Sequence, residues 1–189
     1  MLKDRSGESR KCKRMFLKFH HLLLTIGVIF LLSACAHKPG NAPYFIEKGS
    51  LGQIVSAQPV DLINVQTTNE VKLCGAGIHS WNADLNSIAD TAIEVMKDAL
   101  EKSKVRIEKE GKKKLRLSIP QCGCNQGLAS LTVTVTLQIE TGSGMKKTFE
   151  GTQNGMVFTY QFDWALNSAI KDAVFKALKD PDINAYLRE

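Results

Sequence analysis

A two-layer α+β sandwich, a mainly antiparallel sheet with two helices packed on one face, is predicted by three observations in this chain. Leu131, Val133, Val135, Leu137 and Ile139 alternate without a break with Thr132, Thr134, Thr136 and Gln138, the period of a strand with one covered and one open face. Two stretches, Asp84 to Lys102 and Trp164 to Lys179, carry apolar residues at the spacing of amphipathic helices. Between them, turns at Glu110-Gly111 and Thr141-Gly142-Ser143-Gly144 separate short strand-like runs. The implied order is β-α-β-β-β-β-α.

The first segment in order stands outside that domain. Leu22 to Leu32 is an apolar run of eleven residues behind Lys11, Lys13, Arg14 and Lys18. About 20 apolar residues are needed to span the hydrocarbon core, so the run reads as the core of a signal peptide and not as a transmembrane anchor. It ends in Leu32-Ser33-Ala34-Cys35, which resembles the bacterial lipobox. That resemblance implies cleavage before Cys35 and a diacylglycerol on its sulfur, leaving residues 1–34 as the signal; a soluble signal peptide with an incidental Cys35 is the weaker reading. Met15 would serve as a start as well as Met1, because Met15 to Ala34 has ordinary signal length. Ala36 and His37, where an aspartate would retain an inner-membrane lipoprotein, resemble the outer-membrane sorting pattern and imply a lipid anchor in the outer membrane, on the periplasmic side. Two or more acyl chains hold a protein to a bilayer where one holds weakly.

Removing the signal changes the charge balance. Residues 1–34 hold seven Lys or Arg against Asp4 and Glu8, five of the chain's net +6, so the remainder carries only +1. That excludes the broad basic surface of a nucleic-acid binder. The dense cluster that remains, Lys109 to Lys114, reads as a solvated hairpin turn, with an acidic partner such as lipid headgroup phosphate as the alternative.

From Cys35 to Gln58 the chain is rich in Gly, Pro, Asn and Ser without a sustained period, a tether with a short extended piece at Tyr44 to Ile46. Residues 59–189 then suffice for one domain. Val60 to Val65 is a short strand. In the first helix Leu85, Ile88, Ala89, Ala92, Ile93, Met96, Ala99 and Leu100 form the apolar stripe, with Asn82 or Ser80 as cap and Asp84 in the first turn. Val105 to Glu108 and Lys114 to Ile119 alternate on either side of Glu110-Gly111. After Leu131 to Ile139, Lys146 to Gly151 returns with Phe149 toward the core. Leu166, Ala169, Ile170, Ala173, Val174, Ala177 and Leu178 line the second helix, capped by Asp163 and ended by Pro181, and Ile183, Tyr186 and Leu187 make a last helical turn.

Gly144-Met145-Lys146-Lys147-Thr148-Phe149, Leu166-Asn167-Ser168-Ala169-Ile170-Lys171-Asp172 and Asp180-Pro181-Asp182-Ile183-Asn184-Ala185-Tyr186-Leu187 resemble the C-terminal half of the YajG-type lipoproteins, over some 100 residues of order and pattern. The chain departs from that plan between Pro120 and Leu128, where it has a cysteine-bearing loop. The resemblance implies an outer-membrane lipoprotein and carries over no catalytic residue.

Cys12 lies in the signal and Cys35 takes the lipid, which leaves Cys74, Cys122 and Cys124 in an oxidising compartment. One disulfide from Cys74 to either Cys122 or Cys124, with one thiol free, is the leading expectation. A Cys3His zinc set with His79 is weaker, because Cys-x-Cys is tighter than the usual ligand spacing. Redox activity at Cys122-Gly123-Cys124 lacks a neighbouring cation to activate a thiolate. Cys74-Gly75-Ala76-Gly77, ahead of the first helix, reads as a plain connection more readily than as an anion site at a helix N-terminus. Beyond the signal, His37 and His79 are the only histidines, and no nucleophile elbow, phosphate loop or dinucleotide fingerprint is present. The chain therefore reads as non-catalytic, without catalytic, metal or cofactor residues. Two roles follow: an interaction module of an envelope complex, docking a protein partner through the open face of Thr132, Thr134 and Thr136 or through an edge strand, or a lipid or glycolipid binder with an acyl cleft between helix and sheet.

Overall fold

The alternating run builds the centre of the sheet, and the two amphipathic stripes build the layer above it. The computed structural model describes residues 54–76, 79–156 and 159–189. The signal, Cys12, Cys35, His37 and the piece at Tyr44 to Ile46 lie outside the described residues. The elements are β1 (Val60–Asn64), β2 (Glu70–Ala76), β3 (His79–Asp84), α1 (Leu85–Lys102), β4 (Lys113–Gln126), β5 (Ser130–Thr141), β6 (Lys146–Met156), α2 (Thr159–Lys179) and α3 (Pro181–Arg188). The main sheet runs β1-β4-β5-β6, with β1 parallel to β4 and the other pairs antiparallel. This is the expected α+β class. Along β5 the odd residues Leu131 to Ile139 are buried and the threonines between them are half-exposed, as the alternation requires.

The helices cover the inner face. α1 buries Leu85, Ile88, Ala89, Ala92, Val95, Met96, Ala99 and Leu100, and α2 buries Phe162, Ala165, Leu166, Ala169, Ile170, Ala173, Val174, Ala177 and Leu178. α2 sits so close to β6 that a Cβ on Gly151 would lie 1.9 Å from the Ala169 carbonyl oxygen; only glycine permits that approach. α3 starts on an Asp180 cap and Pro181, and buries Ile183, Tyr186 and Leu187. Lys147 on β6 holds it, reaching both Asp180 carboxylate oxygens at 2.9 Å and also pairing with Asp182.

Several local expectations are corrected. A hairpin, β2 with β3, precedes α1 and pairs Glu70 with Asp84 through to Ala76 with His79. It runs straight into the helix, so the cap is Asp84 itself, whose carboxylate accepts from Asn86 N at 3.1 Å, while Ser80 and Asn82 lie in β3. Cys74 to Ala76 accordingly belong to a strand, eight or more residues from the helix start. Val105 to Glu108 makes one bridge to Val60 and no strand, because Lys104 and Glu110, at φ 64° and 65°, turn the chain on both sides of it. The loop expected at Gln121 to Gly127 is the second half of β4, which continues to Gln126 through a register shift between Ser118 and Gln121; Pro120, lacking an N–H, sits in that irregularity. α2 begins at Thr159, so Asp163 is inside it and no cap. The core also reaches back to Ile54, 2% exposed, within the stretch read as tether.

Candidate functional site

Three sites follow from this arrangement. The first is the outer face of the sheet. Thr132, Thr134 and Thr136 stand opposite Asn154, Thr152 and Glu150 on β6, and opposite Asn125, Gly123 and Gln121 on β4. Thr132 Oγ1 donates to Asn154 Oδ1 at 2.8 Å. Toward one end the polar face becomes charged: Glu140 pairs with Arg116 at 3.2 Å and with Lys146 at 3.1 Å. The hydrogen bond from Lys146, followed by the opposing cost of burial and then the charges of Lys146 and Arg116, leaves the Glu140 carboxyl below its usual pKa.

The edge of β6 is less available than its face. Thr152 N–H donates to Asp172 at 3.1 Å, Met156 N–H donates to Gln161 at 2.8 Å, and Lys176 donates to the Glu150 carbonyl at 2.8 Å. Asp172 and Lys176 also pair with each other at 2.8 Å. Side chains of α2 thus occupy three of the main-chain groups, at Glu150, Thr152 and Met156, through which another strand would add.

The second site is the cysteine cluster. Cys74 and Cys124 form a disulfide with Cα atoms 5.3 Å apart, and Cys122 is free. The register shift explains why the β4 cysteines face Cys74. Before it Leu115, Leu117 and Ile119 point inward; after it Cys122 and Cys124 stand opposite Val135 and Val133 on the inner face, where β2 brings Cys74. Trp81 on β3 stacks on Phe162 at 5.3 Å between ring centroids, so the hairpin is fastened to β4 and to α2. The disulfide removes two sulfurs from the four-ligand zinc set; the His79 side chain lies outside those described. Burial pushes the Cys122 thiol up to about 12, against a smaller opposing effect of a backbone hydrogen bond from Gly123. It is a protonated thiol at neutral pH, the reverse of an activated redox cysteine.

The third site was only half visible in the sequence. A concavity of about 630 Å³ opens at the end of the sheet where β4 begins and β5 turns into β6, lined by Lys112, Lys113, Lys114, Arg116, Ser143 and Tyr186, with Gln58 and Glu189 at its margin. Tyr186 is its organiser. Its hydroxyl accepts from the amides of Lys114 at 2.9 Å and Gly142 at 3.1 Å and donates to the Lys114 carbonyl at 3.3 Å, and Lys113 Nζ lies 4.6 Å from its ring centroid. The turn that carries the lysines is wired to the start of β1: Lys113 N–H donates to the Pro59 carbonyl at 3.1 Å and Glu110 N–H to Asp61 at 3.2 Å. A Cβ on Gly111 would come within 2.7 Å of the Pro59 oxygen, so turn and strand are in direct contact. The cluster Lys109 to Lys114 is therefore a fixed platform at its C-terminal end and not merely a solvated turn. Arg116 and Tyr186 gave no sign in the sequence, because the first reads as an outward strand residue and the second as part of an apolar helical stripe.

Among the described residues no helix is long and apolar enough to cross a membrane. No family model and no curated protein matches the chain. Among solved structures, a chain from Caulobacter crescentus CB15 described as a lipoprotein is similar at 15% identity, over 67% of this chain and 89% of its own, with a TM-score of 0.39. That likeness is too loose to carry an argument, so the YajG-type resemblance stands on the residues that suggest it.

Proposed function

We propose that this chain is a lipoprotein of the YajG type, anchored through Cys35 in the outer membrane, facing the periplasm, and acting as a non-catalytic interaction module of an envelope assembly. The anchor reading is supported by Leu32-Ser33-Ala34-Cys35 behind an apolar run too short to span a bilayer. The module reading is carried by one observation: the helices lie on the inner face of the sheet and α2 side chains cap the β6 edge, leaving the hydroxyl- and amide-bearing face around Thr132, Thr134 and Thr136 as its broad unengaged surface. Such a face suits a protein partner that presents hydrogen-bonding side chains. The Arg116-Glu140-Lys146 row would set the partner's orientation, since charge placement fixes register. The acyl-cleft alternative lacks comparable support, because the α1 face against the sheet is filled by Ala89, Ala92, Val95, Met96, Ala99 and Leu100, all at 0% exposure.

The test uses the full-length protein in its envelope. Cys35→Ala should leave it unprocessed or release it from the outer membrane on fractionation. Thr134→Asp should keep the domain folded, since a surface change seldom exceeds about 0.5 kcal/mol, yet abolish the crosslinked partner. A folded Thr134→Asp protein that keeps every crosslink would defeat the reading of this face.

A further inference from the structure

We propose that the cationic concavity at the β4 start binds a phosphate-bearing anion, and that the anion is the headgroup of a membrane lipid. The ligand class follows from the lining, and it stands whether or not Cys35 is acylated. Lys112, Lys113, Lys114 and Arg116 line one hollow together with Glu189, and Arg116 also pairs with Glu140 beside it. Arg116, one of whose guanidinium nitrogens is held by Glu140 at 3.2 Å, keeps further N–H groups for phosphate oxygens, and the lysines act as compact point charges around it. Lys112 and Lys114 have no carboxylate partner among the described residues, and Lys113 is steadied on the Tyr186 ring. The backbone beneath them is fixed by Tyr186, Pro59 and Asp61. The cations are therefore gathered before any ligand arrives, which lowers the ordering cost of binding.

Size and place point to the lipid source. The hollow, about 630 Å³ and open to solvent, leaves room beside a bound phosphate for the group esterified to it. Gln58 lines the same hollow, and β1, which starts at Val60, pairs with Lys113 at that end of the sheet. The chain thus passes beside the concavity on its way from the buried Ile54 into β1. The lipid source rests on the proposed anchor, since a bilayer that held Cys35 would keep its phosphates within tether length of the domain.

The experiment is an amide NMR titration of the full chain in non-ionic detergent, following the Lys114 and Gly142 N–H signals that report on the Tyr186 hydroxyl. Three probes are compared: dihexanoyl phosphatidylglycerol, inorganic phosphate and the zwitterionic dihexanoyl phosphatidylcholine. Phosphatidylglycerol should shift both amides saturably, and Lys112→Gln with Lys114→Gln should weaken its binding about 30-fold, the expected loss of two cations at an anionic surface, while the melting temperature moves by less than about 2 °C. Saturation by inorganic phosphate at equal affinity would keep the phosphate site and overturn the lipid source. Equal shifts with phosphatidylcholine, unsaturable shifts with all three probes, or undiminished binding by the double variant would overturn the site.

Discussion

A thiol attacks only when it is ionised, and burial denies Cys122 that state. With its pKa pushed up to about 12, the thiolate fraction at pH 8 is about a thousandfold below that of an ordinary cysteine. The sign is fixed by desolvation: the uncharged thiol is favoured at every pH up to that value, so raising the buffer from pH 7 to pH 9 should leave native Cys122 unlabelled by iodoacetamide. Peptide mapping should find Cys122 alkylated only after unfolding, and Cys74 and Cys124 only after reduction as well. Rapid native labelling of Cys122 would mean that the β4 end opens. The bridge from Cys74 to Cys124, closing a separation of 50 residues, contributes about 4 kcal/mol in the chain-entropy account. At this scale the sequence limited the pairing to two choices; the irregularity around Pro120 turned both cysteines inward, and the path of β2 beside β4 settled the bond on Cys124.

The closest contact between elements is glycine against helix. Gly151→Ala should force α2 off β6, costing about 3 kcal/mol or more and lowering the melting temperature by about 6–12 °C. Gly155→Ala is the control, since its Cβ would meet Ala165 at an ordinary 3.7 Å and the cost should stay below about 1 kcal/mol. Equal melting temperatures would refute the packing. Elements with long unbroken periods were legible: β5, α1 and most of α2 sit where their patterns place them, and Tyr186 with Ile183 and Leu187 do form a final helix. The β2–β3 hairpin was not, although Val71 and Leu73 alternate with charged neighbours and Trp81 and Ala83 alternate with Asn82 and Asp84. A register shift between Lys72 and Cys74 breaks its first strand, and two short runs around a glycine-rich turn resemble a connection. A hairpin of that size is marginal alone; its fold comes from the disulfide and the Trp81–Phe162 stack, which are contacts across the chain that no local pattern encodes.

Seen whole, the molecule has two unlike ends. β5 carries twelve residues, about 36 Å at the usual strand rise, from an end where Leu128, Met156 and Trp164 are exposed to the end that gathers Lys112, Lys113, Lys114 and Arg116. The threonine face between them was legible from alternation alone; the cationic hollow was not, because residues 58, 112–116, 142–143 and 186 meet only through the topology. The capping of β6 has a further effect at this scale. Copies anchored by lipid, as proposed, would share a plane where lateral encounters are frequent and orientation is half fixed, conditions in which a bare strand edge would join neighbours into ribbons. Asp172 and Lys176 occupy the Thr152 N–H and the Glu150 carbonyl on that side, and β1, strapped at Val60 by the Arg106 carbonyl, presents only five residues on the other. Asp172→Ala with Lys176→Ala should therefore change stability by no more than about 1 kcal/mol, as exposed pairs do, yet raise light scattering at high protein concentration, and a doubly substituted protein that stays as dispersed as its parent would show that something other than this edge is guarded. On the proposed anchoring, the Asp172–Lys176 pair would let many copies occupy one surface while each remains a separate particle.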